Sequence, residues 1–178
     1  GFFKVGKNCK VSKYVRCYNL NCSIGNNTRI DDDVVLKGKI EIGSYVHIAR
    51  GCTFSGGSFG IRVNDLSTLS NFCQVFEKSD DYLGVNIPEA TLTKTLKKIV
   101  SKTYQKKIWV GKASIIGAFS VILPGSEIGN FSSVVAFYFV YKKIKAGFYF
   151  SNFSNGKEKN LKRNLKILKK NFQNLKKK

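Results

Sequence analysis

Apolar positions recur along this chain every six residues. From Val110 the column reads Val110, Ile116, Ile122, Ile128, Val134 and Val140 without a break. Neither a helix period of 3.6 nor a strand period of 2 produces such a column. The same beat runs through Val5, Val11 and Cys17 and, after a one-residue slip, through Ile24, Ile30 and Leu36. It continues through Ile42, Ile48 and Phe54, then through Val63, Leu69 and Val75. A hexad repeat predicts a β-helix, in which three short faces joined by corners make one triangular coil and the coils stack. Four coils precede residue 80 and two follow residue 109, so about six are expected. The aliphatic residues point inward and fill the core. Glycine follows them at Gly111, Gly117 and Gly129, and small residues stand at Ala118 and Ala136. Such residues let the backbone turn and let a ligand come close to it.

The beat is interrupted twice. Ser55-Gly56-Gly57 adds three residues between Phe54 and Val63, and this Gly-rich bulge predicts backbone open to close approach. From Phe76 to Lys107 the hexad disappears and returns at Trp109-Val110-Gly111, which makes residues 76–107 an excursion from the prism. Long loops on a regular scaffold are where function is usually carried. After Lys145 the repeat stops, and the aromatic, Asn- and Ser-rich residues 146–156 read as a covering segment or turn. Leu161, Leu165, Leu168, Phe172 and Leu175 then recur at helical spacing on a lysine-rich background and predict an amphipathic helix. The organisation expected is a β-helix domain over 1–145 and a linker with a basic C-terminal helix over 146–178. The apolar stripe of that helix calls for a partner. The side or end of the prism, where it would cap an open coil edge, is favoured over a partner subunit, and weak contact with a membrane surface comes third.

Composition changes this picture little. The chain has 178 residues, enough for one domain with a real core, and its 43% hydrophobic content excludes general disorder. The net charge of +20 is concentrated at one end, with ten of the 31 basic residues between Lys157 and Lys178. A basic tail suits nucleic acid or an anionic membrane surface, and a solvated lysine-rich surface accounts for it equally well. No nucleic-acid partner is expected. The longest apolar run, Val134 to Tyr141, is too short to span a bilayer, and with no signal-peptide pattern the expected location is cytoplasmic. The five cysteines form no CxxC pair, and Cys17 falls in an inward slot as a small core residue. One histidine and scattered cysteines give no basis for a metal site.

Three blocks carry a resemblance to a known family. They are Ser114-Ile115-Ile116-Gly117-Ala118-Phe119-Ser120-Val121-Ile122-Leu123-Pro124-Gly125 with Glu127-Ile128-Gly129, then Tyr45-Val46-His47-Ile48-Ala49, and Ser79-Asp80-Asp81-Tyr82-Leu83-Gly84. Over roughly residues 1–145 the chain resembles the hexapeptide-repeat acyltransferases with a left-handed β-helix, in particular the branch that acetylates sugars for surface polysaccharides. The resemblance implies an all-β, left-handed parallel β-helix that forms a homotrimer, with active sites between neighbouring prisms. It implies acetyl-CoA as co-substrate and a sugar, nucleotide sugar or glycan intermediate as acceptor, through a hydroxyl or an amine. Ser70, Ala118 and Ala136, matched by coil phase, would be the close-approach positions for the pantetheine arm. Tyr141 and Lys142 would meet the arm and the nucleotide end, with Lys157 or Lys159 as a phosphate partner. Gly56, Gly57 and Tyr82 would stand on the acceptor side.

Acyl transfer from a thioester needs a base for the acceptor's proton and donors for the developing oxyanion. His47, the only histidine, precedes the inward Ile48 and so points outward. Many relatives carry the catalytic histidine on the loop where this chain has Asp80. Two arrangements follow. In the favoured one His47 is the base and Asp80 or Asp81, from this or a neighbouring chain, orients its ring. In the other a carboxylate is the base, which suits an amine acceptor. Asp31-Asp32-Asp33 reads as a corner turn that contacts a basic neighbour without binding metal. A γ-class carbonic anhydrase shares the fold but needs three histidine ligands, which one histidine excludes. Residues Phe153 to Lys157 replace the family's Asn-Pro-Ala-Lys-like segment, and the last coil is aromatic at Phe137, Tyr138 and Phe139. These departures keep a second reading open, a non-catalytic β-helix that binds anionic glycan, nucleic acid or membrane through its basic helix.

Overall fold

The computed structural model describes residues 2–80, 93–96, 103–151, 159–162 and 164–175. Its short parallel strands wind into a left-handed β-helix of about seven turns, closed by a short C-terminal helix. The hexad columns become three faces. Face one stacks Ile24, Ile42, Val63, Val110, Ile128 and Ile144 in register. Face two stacks Val11, Ile30, Ile48, Leu69, Ile116, Val134 and Phe150. Face three stacks Cys17, Leu36, Phe54, Val75, Ile122 and Val140. From Ile24 upward these side chains are buried, and each contributes about 1.5–3 kcal/mol by leaving water.

A second inward column explains how the corners close. Four residues after a face residue stands a buried small side chain whose hydrogen-bond donor reaches a carbonyl of the next coil. Ser114 Oγ donates to Gly129 O at 2.9 Å, Ser120 Oγ to Val135 O at 3.0 Å and Ser67 Oγ to Gly111 O at 2.7 Å. Cys52 and Cys73 occupy the same slot, their thiols donating to Ser70 O at 3.1 Å and Gly117 O at 3.2 Å. These cysteines are core donors. One residue earlier the backbone turns through left-handed φ, at Asn27, Asp33, Tyr45, Leu66, Phe72, Ala113, Phe119, Phe131 and Phe137. Glycine follows the face-one residues Ile24, Ile42, Val110 and Ile128, and space explains it: a Cβ on Gly111 would lie 2.5 Å from Asn130 N in the coil above.

Three expectations need correction. The repeat does not stop at Lys145, because Lys143–Ile144 and Phe148–Ser151 continue faces one and two, which raises six coils to about seven turns. Cys17 is in phase, opposite Leu36, yet exposed, since the first coil has no coil beneath it. Its neighbour Cys22 is fully buried, and burial first, with Cys17 nearby second, pushes its thiol up to about 12. The helix is shorter than its apolar stripe. Leu161 lies in the strand Lys159–Lys162, antiparallel to Phe148–Ser151, and α1 runs only Leu165–Leu175. Asn164 Oδ1 caps it by accepting the Ile167 N–H at 3.2 Å. Leu165 lies over Gly147, where a Cβ would come within 2.5 Å of it, so the helix starts on the last turn. Among the described residues no helix is long and apolar enough to cross a membrane.

Candidate active site

Face two carries the histidine. The register pairs Arg29 with His47 and His47 with Thr68, so these outward side chains stand one above another on successive coils. Asp31, one residue past Ile30, lies diagonally beside them. Its Oδ2 is 2.9 Å from His47 Nε2 and its Oδ1 is 2.5 Å from Arg29 Nε. The His47 side chain is 38% exposed and Asp31 20%, so the pair is reachable from solvent. Partial burial pushes the Asp31 carboxyl up, but the hydrogen bonds from His47 and Arg29 outweigh it and hold the group below the ordinary carboxylate range. Asp33 binds Arg50 at 3.0 Å. The acidic turn thus meets basic neighbours, as expected, and one of them is the histidine itself.

Ser70 is half-buried on the same face, one coil above His47 and two residues further along. Its N–H donates to Ile116 O at 2.9 Å, which puts it in line with Ala49 below and Gly117 above. It is therefore one residue out of phase with Ala118, contrary to the sequence matching. Ala118 and Ala136 do share a column, at the corner between faces two and three, and Ala118 O is already occupied by the Phe137 N–H at 2.8 Å. Beside this column Phe72, Phe119 and Phe137 form a stack, with ring centroids 5.1 and 5.0 Å apart. Tyr141 and Lys142 lie at the other edge of face three. Lys142 Nζ stands 5.5 Å above the Tyr141 ring and 5.2 Å from the Phe150 ring. Lys159 is placed by its backbone opposite Ser151 at the end of face two.

Asp80 is exposed on a two-stranded ribbon, Lys78–Asp80 against Thr103–Gln105, where it faces Thr103. The ribbon leaves after face three at Phe76 and returns to face one at Ile108. That corner is opposite face two, so one chain does not bring Asp80 to His47. Asp81 and Tyr82 lie outside the described residues. Gly56 and Gly57 are half-buried, with the chain's own groups packed on their Cα side. The Gly56 N–H donates to Lys37 O at 2.8 Å, and a Cβ on Gly57 would collide with Glu77 Oε2. Among the described residues no three His, Cys, Asp or Glu side chains are placed to hold a metal ion. The Asp31–His47 contact escaped the sequence reading, although coil phase contains it: Ile30 and Ile48 are one turn apart, and Asp31 and His47 flank them toward each other.

Similarity to known proteins agrees with this geometry. The family model described as bacterial transferase hexapeptide (six repeats) matches residues 21–56. A curated acyltransferase of Escherichia coli that acts on dTDP-4-amino-4,6-dideoxy-D-glucose is 33% identical over 144 residues, spanning 75% of this chain and 72% of that protein. Among solved structures, the N-acyltransferase AntD of Bacillus cereus, as an aspartate-to-alanine variant with dTDP and coenzyme A, is 32% identical. It superposes with a TM-score of 0.88 over 100% of this chain and 93% of that one. The same enzyme with dTDP and 3-hydroxybutyryl-CoA is 33% identical, with a TM-score of 0.86 over 99% of this chain and 92% of that one. A maltose O-acetyltransferase of Clostridium difficile, at 21% identity and a TM-score of 0.55 over 91% of this chain and 70% of that one, shares the fold.

Proposed function

This chain belongs to the hexapeptide-repeat acyltransferases and moves an acyl group from coenzyme A to a sugar, and we propose that its acceptor is the amino group of a dTDP-linked amino sugar. The observation that carries the finer reading is the full-length likeness to an N-acyltransferase with dTDP-4-amino-4,6-dideoxyglucose and coenzyme A in its site. A second observation supports it. The solved variants of that relative replace a serine and an aspartate ten residues after it, and Ser70 and Asp80 have the same spacing here.

The bound thioester supplies an activated acyl carbonyl. Everything else falls to side chains. Asp80 attracts the acceptor's ammonium and takes its proton, so that the free amine can attack. Ser70 donates its hydroxyl to the carbonyl oxygen as charge builds there. A C–N bond forms and the C–S bond breaks; the second proton, shed by the nitrogen as it becomes an amide, ends on the departing thiolate, and the one taken by Asp80 passes to solvent. An amine acceptor favours the carboxylate as base over His47, whose Nε2 is already held by Asp31. In this reading His47 and Arg29 line the acceptor side of face two. Ala118 and Ala136 leave a low wall for the pantetheine arm, and Lys142 supplies a cation for its phosphates.

The site is shared between copies. Ser70 and His47 lie on face two and the ribbon of Asp80 leaves from the opposite corner, so they meet only if a neighbouring prism contributes the ribbon. A homotrimer closes such a ring. Because acyl-CoA is made and kept in the cytoplasm, the enzyme works there, on a precursor of a surface polysaccharide. The test is thiol release from acetyl-CoA with dTDP-4-amino-4,6-dideoxyglucose or with its 4-hydroxy counterpart. Release with the amine alone is expected, and equal release with both overturns the N-acyl assignment.

A further inference from the structure

Glu77 is the one charged side chain in the described core: it is fully buried. Its Oε1 accepts the Phe59 N–H at 3.2 Å, and among the described residues its Oε2 has no hydrogen-bond partner. That oxygen lies against Gly57, where any Cβ would collide with it. A buried acceptor left unpaired is a cost that demands an explanation. Neither the core columns nor the reaction steps use Glu77, and its position suggests what it does.

Glu77 is the residue at which the ribbon joins the prism. Its N–H donates to Ser55 O at 3.0 Å, in the coil beneath, and its own carbonyl accepts the Lys106 N–H of the returning strand at 3.2 Å. The ribbon strand Lys78–Asp80 begins at the next residue. The side chain thus holds the 55–60 connection of one coil to the very residue whose backbone joins both strands of the excursion. Asp80 stands three residues out, about 10 Å along an extended strand. A tilt of about 6° at the root displaces it by about 1 Å, a misplacement that costs a positioned reaction up to about 100-fold.

We propose that Glu77, locked between Gly57 and the Phe59 N–H, is a positioning residue that sets the direction of the ribbon and so delivers Asp80 to the acceptor amine. The Gly56-Gly57 bulge is, in this account, the socket for Glu77. The inference rests on the assignment of Asp80 above, and the experiment separates the two. Glu77→Ala, Glu77→Gln, Asp80→Asn and the double variant Glu77→Ala with Asp80→Asn are assayed in the full chain by thiol release from acetyl-CoA with dTDP-4-amino-4,6-dideoxyglucose. Glu77→Ala should lower kcat about 10- to 100-fold with KM for acetyl-CoA within about twofold of wild type. Glu77→Gln keeps the acceptor for Phe59 N–H and should recover kcat to within about threefold. The double variant should be no more than about twofold slower than Asp80→Asn alone, because Glu77 acts through Asp80. Additive losses, or a Glu77→Ala enzyme with wild-type kcat beside an impaired Asp80→Asn, overturn the proposal. A wild-type kcat for Asp80→Asn instead overturns the assignment of Asp80. Should Glu77→Ala fail to fold, Gly57→Ala disturbs the same lock from the other side; it should lower kcat to a similar extent, and unchanged kcat there overturns the proposal.

Discussion

Asp80→Asn is the sharpest perturbation available, because it removes one charge and almost no volume. Asp80 is exposed at the end of a two-stranded ribbon, outside the core columns. Surface substitutions of that kind change stability by no more than about 0.5 kcal/mol. Loss of a general base, by contrast, typically costs about 100- to 10,000-fold in turnover. In barrier terms that is about 2.7–5.5 kcal/mol, far above any effect on folding. The assay follows free thiol released from acetyl-CoA at saturating dTDP-4-amino-4,6-dideoxyglucose, with thermal melting of the same preparations as the control. The pH dependence makes the prediction stricter. The deficit arises because the acceptor arrives as an ammonium ion, so raising the pH supplies free amine from solution and should close part of the gap between the variant and wild type. A variant with wild-type kcat would refute the base assignment. So would a deficit that does not shrink at alkaline pH, since it would locate the loss in binding or shape.

Ser70→Ala should lower kcat by about 100- to 1,000-fold if the hydroxyl is the oxyanion donor, with KM little changed; a loss confined to KM would make it a binding contact. Asp31→Asn tests the carboxylate on face two through stability. The Asp31 carboxyl is held below its ordinary value in the fold, so its contribution is present above the unfolded value and lost as pH falls through the folded one. The variant should therefore flatten the acid limb of a stability–pH profile below about pH 4, and by no more than about 1 kcal/mol for a pair this accessible. An unchanged acid limb would remove Asp31 from the account. Leu69→Ala opens a hole in face two between Ile48 and Ile116, where the side chain is fully buried, and should cost about 2–5 kcal/mol in urea unfolding. A cost below about 1 kcal/mol would contradict a close-packed column.

The fold was legible because a hexad is a redundant signal. Each aliphatic residue from Ile24 to Val140 pairs in register with the one a turn away, so a single misread residue cannot hide the column. The last turn was less legible. Ile144 and Phe150 follow the beat of face one and face two, but Phe148, Tyr149 and Phe150 together read as a covering segment, because one partial coil has no further coil to confirm its phase. Site residues were legible by type and less so by company. His47 could be placed outward from its neighbour Ile48, whereas its partner depends on the diagonal between coils, which a one-dimensional reading did not draw. Gly57 was recognised as a close-approach position, and so it is; the approaching group is Glu77, a residue of the excursion that no periodicity locates.

The aromatic final coil looked in the sequence like decay of the repeat, and its geometry argues the opposite. Phe72, Phe119 and Phe137 each take left-handed φ, at 58°, 58° and 60°, a conformation that costs a bulky residue about 1–2 kcal/mol. Isolated, each would weaken its corner. Stacked at 5.1 and 5.0 Å, the rings recover about 0.5–1.5 kcal/mol per contact, and Phe72 also covers Gly51 in the coil below. Two contacts return about 1–3 kcal/mol of the roughly 3–6 that three such residues cost, so the stack offsets part of the strain at a corner that stays regular as far as Phe137 with aromatic residues in place of asparagine or glycine. Tyr138 is buried edge-on against Phe150, at 4.7 Å between centroids, and closes the last full coil from inside. Phe137 and Phe139 point outward, on either side of it. The column of Ala118 and Ala136 beside the stack is thus kept in line through the final coil.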